Sequence, residues 1–116
     1  MDVRCFDVVN MVADEATSQF GSLLKVDEGK KKKLEGYCVL IDKAVESFDG
    51  ESLEVDINDE TTDITITLVC AEFETSSVTK WFYDLSNQAK AICIKAHDNE
   101  HIEISFTFNG IWSKAF

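Results

Sequence analysis

The spacing of apolar residues changes along the chain, first at Gly50. Before this glycine, apolar residues recur every three or four positions, which is the period of one face of an α-helix. After it, most of them alternate with polar residues, as in a strand that is buried on one side. Because both periods occur in separate segments, the sequence predicts an α+β fold whose first elements are helices.

Two helices are predicted before Gly50. The first extends from about Arg4 to Lys25, and the second ends near Gly50, a common helix stop. The apolar stripe of the first helix is Cys5, Val9, Val12, Ala16, Phe20 and Leu23. The stripe of the second helix is Leu34, Tyr37, Cys38, Ile41, Val45 and Phe48.

Four consecutive lysines, Lys30 to Lys33, precede the second stripe. In a helix, four such residues would sweep about 300° around the axis, so no face of that stretch could be buried. Cations at a helix start also oppose the helix dipole. We therefore expect this run to be a solvated loop or a frayed first turn.

Two β-hairpins are predicted after Gly50, because opposite side chains of a pair must share a face. The first register pairs Ile57 with Ile64, Val55 with Ile66 and Leu53 with Leu68, and leaves a turn within 59–62. The second pairs Ala96 with Ile102, Ile94 with Ile104 and Ile92 with Phe106, and leaves a three-residue loop. A short helix between the hairpins has Val78, Trp81, Phe82 and Leu85 on its apolar face.

The predicted element order is therefore ααββαββ in one domain that covers residues 1–116. The expected architecture is a four-stranded, mainly antiparallel sheet, made of two β-hairpins. Two N-terminal helices and one helix between the hairpins pack on one of its faces. The pattern does not predict the order of the strands in the sheet.

The second hairpin places the only two histidines opposite each other, at the base of the Asp98–Asn99–Glu100 loop. His97 and His101 would have Cβ atoms roughly 4.5–5.5 Å apart, close enough to bind one metal ion. Zinc sites normally take three or four protein ligands, and the pair supplies two. We expect no cofactor, and a zinc site at His97 and His101 is the weaker alternative to an exposed polar hairpin tip.

The charge of the chain is strongly acidic, with 22 acidic and 11 basic residues and a net charge of −11. Residues 51–116 contribute −8 of this, and an acidic group lies on the first hairpin: Asp56, Asp59, Glu60 and Asp63. Direct nucleic-acid binding is not expected, because it needs lysine and arginine to neutralise phosphates. A basic protein is the partner that such charge favours, although acidity also simply keeps a cytosolic protein soluble.

The remaining composition indicates a cytoplasmic protein. No apolar run approaches the roughly 20 residues that span a bilayer, so no membrane partner is expected. The four cysteines, at positions 5, 38, 70 and 93, form no CxxC pair. Each falls where packing is plausible, which predicts free buried thiols in a reducing compartment.

Nothing in the sequence combines a nucleophile, a base and an orienting group, and the glycines form no phosphate-binding loop. The sequence therefore favours a non-enzymatic interaction module or adaptor. Its candidate contact residues are aromatic: Tyr83, Trp112 and Phe116. A homodimer formed through a strand edge or the C-terminal tail is included in this hypothesis. The alternative is an acidic inhibitor, immunity-protein-like or a nucleic-acid mimic, that binds a basic enzyme through the acidic hairpin.

Overall fold

The structure, a computed structural model, describes residues 4–5, 7–11, 14, 24–58, 60–71 and 80–114. Three helices are present: α1, whose described helical residues are 5, 7–11 and 14, α2 (Glu28–Ser47) and α3 (Lys80–Gln88). The strands are β1 (Leu24–Val26), β2 (Gly50–Ile57), β3 (Ile64–Cys70), β4 (Ala91–Ala96), β5 (Ile102–Phe108) and β6 (Trp112–Lys114).

β2 to β5 form a four-stranded antiparallel sheet in the order β2-β3-β5-β4. Because β3 and β4 are both antiparallel to β5, they run parallel to each other, and α3 lies in the connection between them. Both predicted hairpin registers are confirmed, from Leu53 opposite Leu68 to Ala96 opposite Ile102. The α+β fold with the order ααββαββ is confirmed for the main sheet and the helices.

The core lies between one face of this sheet and α2. The even-numbered residues of β3 and β5 are buried, from Ile64 to Cys70 and from Ile104 to Phe108. They pack against the buried residues of α2: Leu34, Cys38, Ile41 and Ala44. Each large side chain that is fully buried stabilises the fold by about 1.5–3 kcal/mol relative to an exposed one. The inward residues of the sheet and the buried face of α2 therefore form the two sides of one core.

The structure differs from the prediction at Leu24–Val26. The predicted first helix extended to Lys25, but Leu24–Val26 is a strand that pairs with Trp112–Lys114 in a separate two-stranded ribbon. Three-residue strands are too short to show an alternating pattern, and their partners lie far apart in sequence. The C-terminal tail therefore docks on β1, and Ile111 and Trp112 join the core.

The lysine run is helical, contrary to the prediction of a loop or frayed turn. α2 begins at Glu28, and the Oδ1 atom of its N-cap residue Asp27 accepts a hydrogen bond from the Lys30 amide at 3.1 Å. This cap and the acidic Glu28 in the first turn offset the unfavourable cations. The helix thus starts at Glu28, before the first residue of the apolar stripe, Leu34.

Candidate functional site

The histidine pair lies at the base of the β4–β5 loop, as predicted. The His97 amide donates to the His101 carbonyl oxygen at 3.0 Å, and the two ring centroids are 6.4 Å apart with perpendicular planes. Each ring has a carboxylate of its own. His97 Nδ1 is 3.6 Å from Glu103 Oε2, and His101 is bound more closely, between Asp98 and Glu51.

His101 is bracketed by carboxylates at both ring nitrogens. Its Nδ1 lies 2.8 Å from Asp98 Oδ1 and its Nε2 lies 2.6 Å from Glu51 Oε2. The hydrogen bond to Asp98 raises the pKa of His101, the charges of Asp98 and Glu51 raise it further, and partial burial opposes them. The Glu100 amide and the His101 ring hold the pKa of Asp98 below its ordinary range. The site therefore favours an imidazolium between two carboxylates.

An imidazolium has no free lone pair for a metal ion. Within the described ranges, no group of three or more His, Cys, Asp and Glu side chains is arranged to hold one. The zinc site at His97 and His101 stays a prediction without a third ligand. Glu51, which the sequence did not single out, reaches His101 from β2 because the β2-β3-β5 order brings those strand ends together.

The predicted acidic group on the first hairpin is only partly a free surface. Asp56 and Glu60 are exposed, and Glu54 lies beside Asp56 on the outer face of β2. Asp63 is bound by Lys90, whose Nζ lies 2.7 Å from its Oδ2. Asp59 lies outside the described residues. The free carboxylates are therefore those of the β2 edge and the turn, while Asp63 is an ion-pair partner.

The predicted aromatic contact residues lie in different environments. Trp112 is only 5% exposed, and its indole Nε1 donates to the Thr62 carbonyl oxygen at 3.3 Å. Tyr83 is 66% exposed on α3, where it is available to a partner. Phe116 lies outside the described residues. Replacement of Trp112 would therefore disturb the core before it tested a contact surface.

The sheet face that points away from α2 is polar. Thr65 and Thr107 are joined by a 3.2 Å hydrogen bond, and Thr67 and Ser105 by another of the same length. Cys93 shares this face and is exposed, so the prediction of a buried thiol is wrong for this cysteine. The other three cysteines are buried and free. Odd-numbered positions of β4 face away from the core, and among the described strands β4 has a neighbour on one side only.

Among the described strands, β4 is an edge strand of the sheet, and it has apolar residues on its core-side face. The alternation of apolar and polar residues looks the same in an edge strand and in a buried strand, so the sequence did not predict that these residues are exposed. Ile92 is half-buried, and Ile94 is 47% exposed. A groove of about 460 Å³ follows this edge beside the end of α3. It is lined by Ser86, Ala89, Lys90, Ala91, Ile92 and Ile94. This exposure follows from the position of β4 at the sheet edge, and the sequence does not predict that position.

No helix in the described part of the chain combines the length and apolar character needed to cross a membrane. Comparison with known proteins adds no further assignment to these sites. No protein-family model, no curated protein and no solved structure matches the chain.

Proposed function

We propose that the protein is a non-enzymatic interaction module of the cytoplasm that binds an extended segment of a partner protein as an added strand at β4. The observation that carries this proposal is the uncovered edge of β4, with Ile94 47% exposed beside a groove. In strand addition, backbone hydrogen bonds give affinity and pockets for alternate side chains give specificity. In this proposal the backbone of β4 supplies the hydrogen bonds, and the groove along α3 supplies the pockets.

The two edge strands of the sheet differ in how readily they can pair with an added strand. β2 has an irregular register between Gly50 and Ser52, and exposed acids at Glu51, Glu54 and Asp56. Bulges and charges of this kind protect an edge from pairing. β4 pairs with β5 without a register shift, and its one charged residue is Lys95. Of the two edges, β4 is therefore the one open to a partner.

The backbone of β4 is oriented for this pairing. The His97 amide donates to the carbonyl oxygen of His101, the residue before β5, and amides alternate in direction along an antiparallel ladder. The amides of Ile94 and Ala96 therefore point away from β5. These are the groups that an added strand would bind.

The partner segment is expected to present apolar side chains at alternate positions, towards Ile92, Ile94 and the groove. Lys90 forms an ion pair with Asp63, and Lys95 lies opposite Glu103 in the strand register. The net charge of −11 repels a second copy and favours a neutral or basic partner. The free cysteines suit a reducing compartment.

The test compares proteins retained from cell lysate by the wild type and by edge variants, after low-salt and high-salt washes. Ile94→Lys puts a charge on the apolar edge, and Ala96→Pro removes an outward amide. Proline is tolerated at edge positions whose amide faces solvent. The matched control is Val39→Lys, since Val39 is 58% exposed on α2.

A partner retained at high salt by the wild type and the Val39 variant, and lost by both edge variants, would support the proposal. Thermal unfolding of each variant verifies that the fold is retained. If the edge variants and the wild type retain the same proteins, strand addition at β4 is wrong. Self-association of the purified wild type at this edge would identify a homodimer instead.

A second candidate function is the acidic inhibitor, and it is favoured by the exposed carboxylates of Glu54, Asp56 and Glu60. A partner bound by charge would be lost as ionic strength rises. The double reversal Glu54→Lys, Asp56→Lys should then abolish retention at low salt. The reversal Glu28→Lys, Glu46→Lys on α2 changes the net charge equally and should not. Equal loss in both would indicate attraction by net charge alone.

A further inference from the structure

A cleft opens at the end of the sheet where α2, α3 and the β5–β6 connection meet. Its volume is about 270 Å³. The residues that matter for its chemistry are Lys30, Lys33, Leu34, Tyr37, Gln88 and Phe108. Leu34 and Phe108 are buried and form its apolar part, whereas the two lysines and Gln88 are exposed at its rim. The cleft is separate from the β4 edge and from the histidine pair.

One face of α2 supplies the cationic side of the cleft. Residues 30, 33, 34 and 37 are spaced at three and four positions, so they share one helical face. Of the four consecutive lysines, Lys30 and Lys33 therefore line the cleft, and Lys31 and Lys32 do not. Lys30 Nζ lies 3.4 Å from the Trp112 carbonyl oxygen, a weak contact that leaves its charge available.

The apolar wall of the cleft is aromatic and well fixed. The Tyr37 ring stacks on Phe108 with centroids 5.1 Å apart and planes 11° from parallel. The Tyr37 hydroxyl donates to Gln88 Oε1 at 3.1 Å, which joins α2 to α3 across the cleft. Such contacts hold a flat apolar wall in place before any ligand binds.

The charge of the lining is opposite to that of the protein. None of the described residues that line the cleft is acidic, although acidic residues outnumber basic ones 22 to 11 in the chain. A neighbouring hollow of about 350 Å³ beyond Tyr37 shares Lys33 with the cleft and is lined by Asp84 as well. Among the described residues, the space lined by cations and by no acid is therefore the cleft itself, at the end near Gly110. Two lysines that form no ion pair with a described residue, beside an apolar wall, are groups that recognise an anion with an apolar body.

We infer that this cleft binds a small organic acid with a flat apolar body, of the size of a one-ring aromatic carboxylate. Lys30 and Lys33 bind its carboxylate, and the body lies against Tyr37, Leu34 and Phe108. At about 30 Å³ for each water-sized unit, the volume holds roughly nine or ten non-hydrogen atoms.

The test is an amide chemical-shift titration of the full chain with 4-hydroxybenzoate, up to about 10 mM, since a small ligand of this kind binds in the millimolar range or tighter. The expected result is saturable shifts at the cleft, including Leu34, Tyr37 and Gly110. The variant Lys30→Gln, Lys33→Gln should bind at least about ten-fold more weakly, because it loses two charge-assisted hydrogen bonds. The variant Lys31→Gln, Lys32→Gln has the same net charge and should bind within about two-fold of the wild type, because neither lysine contacts the cleft.

Two further probes separate the contributions of charge and shape. The neutral 4-hydroxybenzyl alcohol should bind much more weakly than the acid, and inorganic phosphate should not reproduce the shifts at Tyr37. The inference is overturned by the absence of saturable shifts at the cleft, by equal weakening in both lysine variants, or by equal binding of phosphate. The amide spectrum without ligand shows whether each variant keeps the fold.

Discussion

His101 is held between carboxylates from two parts of the chain, Asp98 in its own loop and Glu51 on β2. Because the pKa of His101 is raised above 6.5 in the fold, its contribution to stability is complete below pH 6.5 and is lost as pH rises through the raised pKa. The lowered pKa of Asp98 acts in the other direction: its contribution is present above pH 3.8 and lost as pH falls through the lowered pKa. The cluster therefore stabilises the fold most between these values.

Replacement of Asp98 with asparagine should lower the pKa of His101 more than the change Glu51→Gln does. The Glu51 contact is the shorter of the two, but the Asp98 hydrogen bond is the larger cause of the raised pKa. A titration of the histidine ring protons by NMR measures this directly. An unchanged pKa of His101 in the Asp98→Asn variant would show that the pair does not persist in solution.

The cysteines should differ sharply in their reaction with a thiol reagent. A hydrogen bond with Cys38 and burial raise the pKa of Cys5, and burial raises the pKa of Cys70 to about 11. Cys93 is exposed on β4. In the folded protein we expect one fast adduct by mass spectrometry, which disappears in Cys93→Ser, because the thiolate is the reactive form and needs access. Fast labelling of several sites would contradict this arrangement.

At the scale of single elements, the sequence predicted what local periodicity and parity control. The Ile57–Ile64 and Ala96–Ile102 registers follow from the rule that paired side chains share a face, and both are confirmed. β1 and β6 could not be predicted, because each is three residues long and each is stabilised by the other from the far end of the chain. The exposure of Ile94 depends on strand order, which no local pattern encodes.

The candidate sites also divide into those that local sequence predicts and those that depend on contacts between distant elements. The histidine pair was predictable because both residues belong to one hairpin. Its carboxylate partner Glu51 and the cleft at Lys30 and Lys33 depend on contacts between distant elements. The lysine run was predicted to be a solvated loop or a frayed first turn because no face of it could be buried and its cations oppose the helix dipole. The cap at Asp27, which lies before the apolar stripe, was not part of that prediction.

Two glycines provide opposite tests of the element contacts. An added Cβ at Gly110 would meet the Thr62 carbonyl oxygen, which lies in the β2–β3 turn and also accepts the Trp112 indole. Gly110→Ala should therefore lower the free energy of unfolding by about 1–3 kcal/mol, the usual cost of overpacking. Gly36 lies inside α2 with open space around it. Gly36→Ala should therefore raise the free energy of unfolding by about 1 kcal/mol. Urea unfolding of both variants measures the two changes, and equal signs would contradict the packing of the β5–β6 connection.

At the scale of the whole molecule, self-repulsion competes with ion pairing. The net charge of −11 destabilises the compact state, and added salt relieves this repulsion. Salt also weakens ion pairs, but the pairs of the described residues are few and lie at the surface, such as Lys90 with Asp63. Surface pairs contribute little, typically below about 1 kcal/mol. Repulsion should therefore dominate, and the melting temperature should rise with NaCl at low ionic strength.

Two double variants with shifted net charge make this expectation quantitative. Glu54→Gln, Asp56→Asn removes two negative charges, so salt should raise its melting temperature less than that of the wild type. Lys31→Gln, Lys32→Gln removes two positive charges, so salt should raise its melting temperature more. A gain of about 1 kcal/mol in the free energy of unfolding corresponds to roughly 4 °C in melting temperature for a chain of this size. A thermal unfolding series from about 20 to 200 mM NaCl measures such a change. Over this range the Debye length falls from roughly 20 Å to below 10 Å. If all three proteins respond to salt equally, specific ion pairs and not the summed charge set the stability, and the same field could not steer a basic partner to the protein.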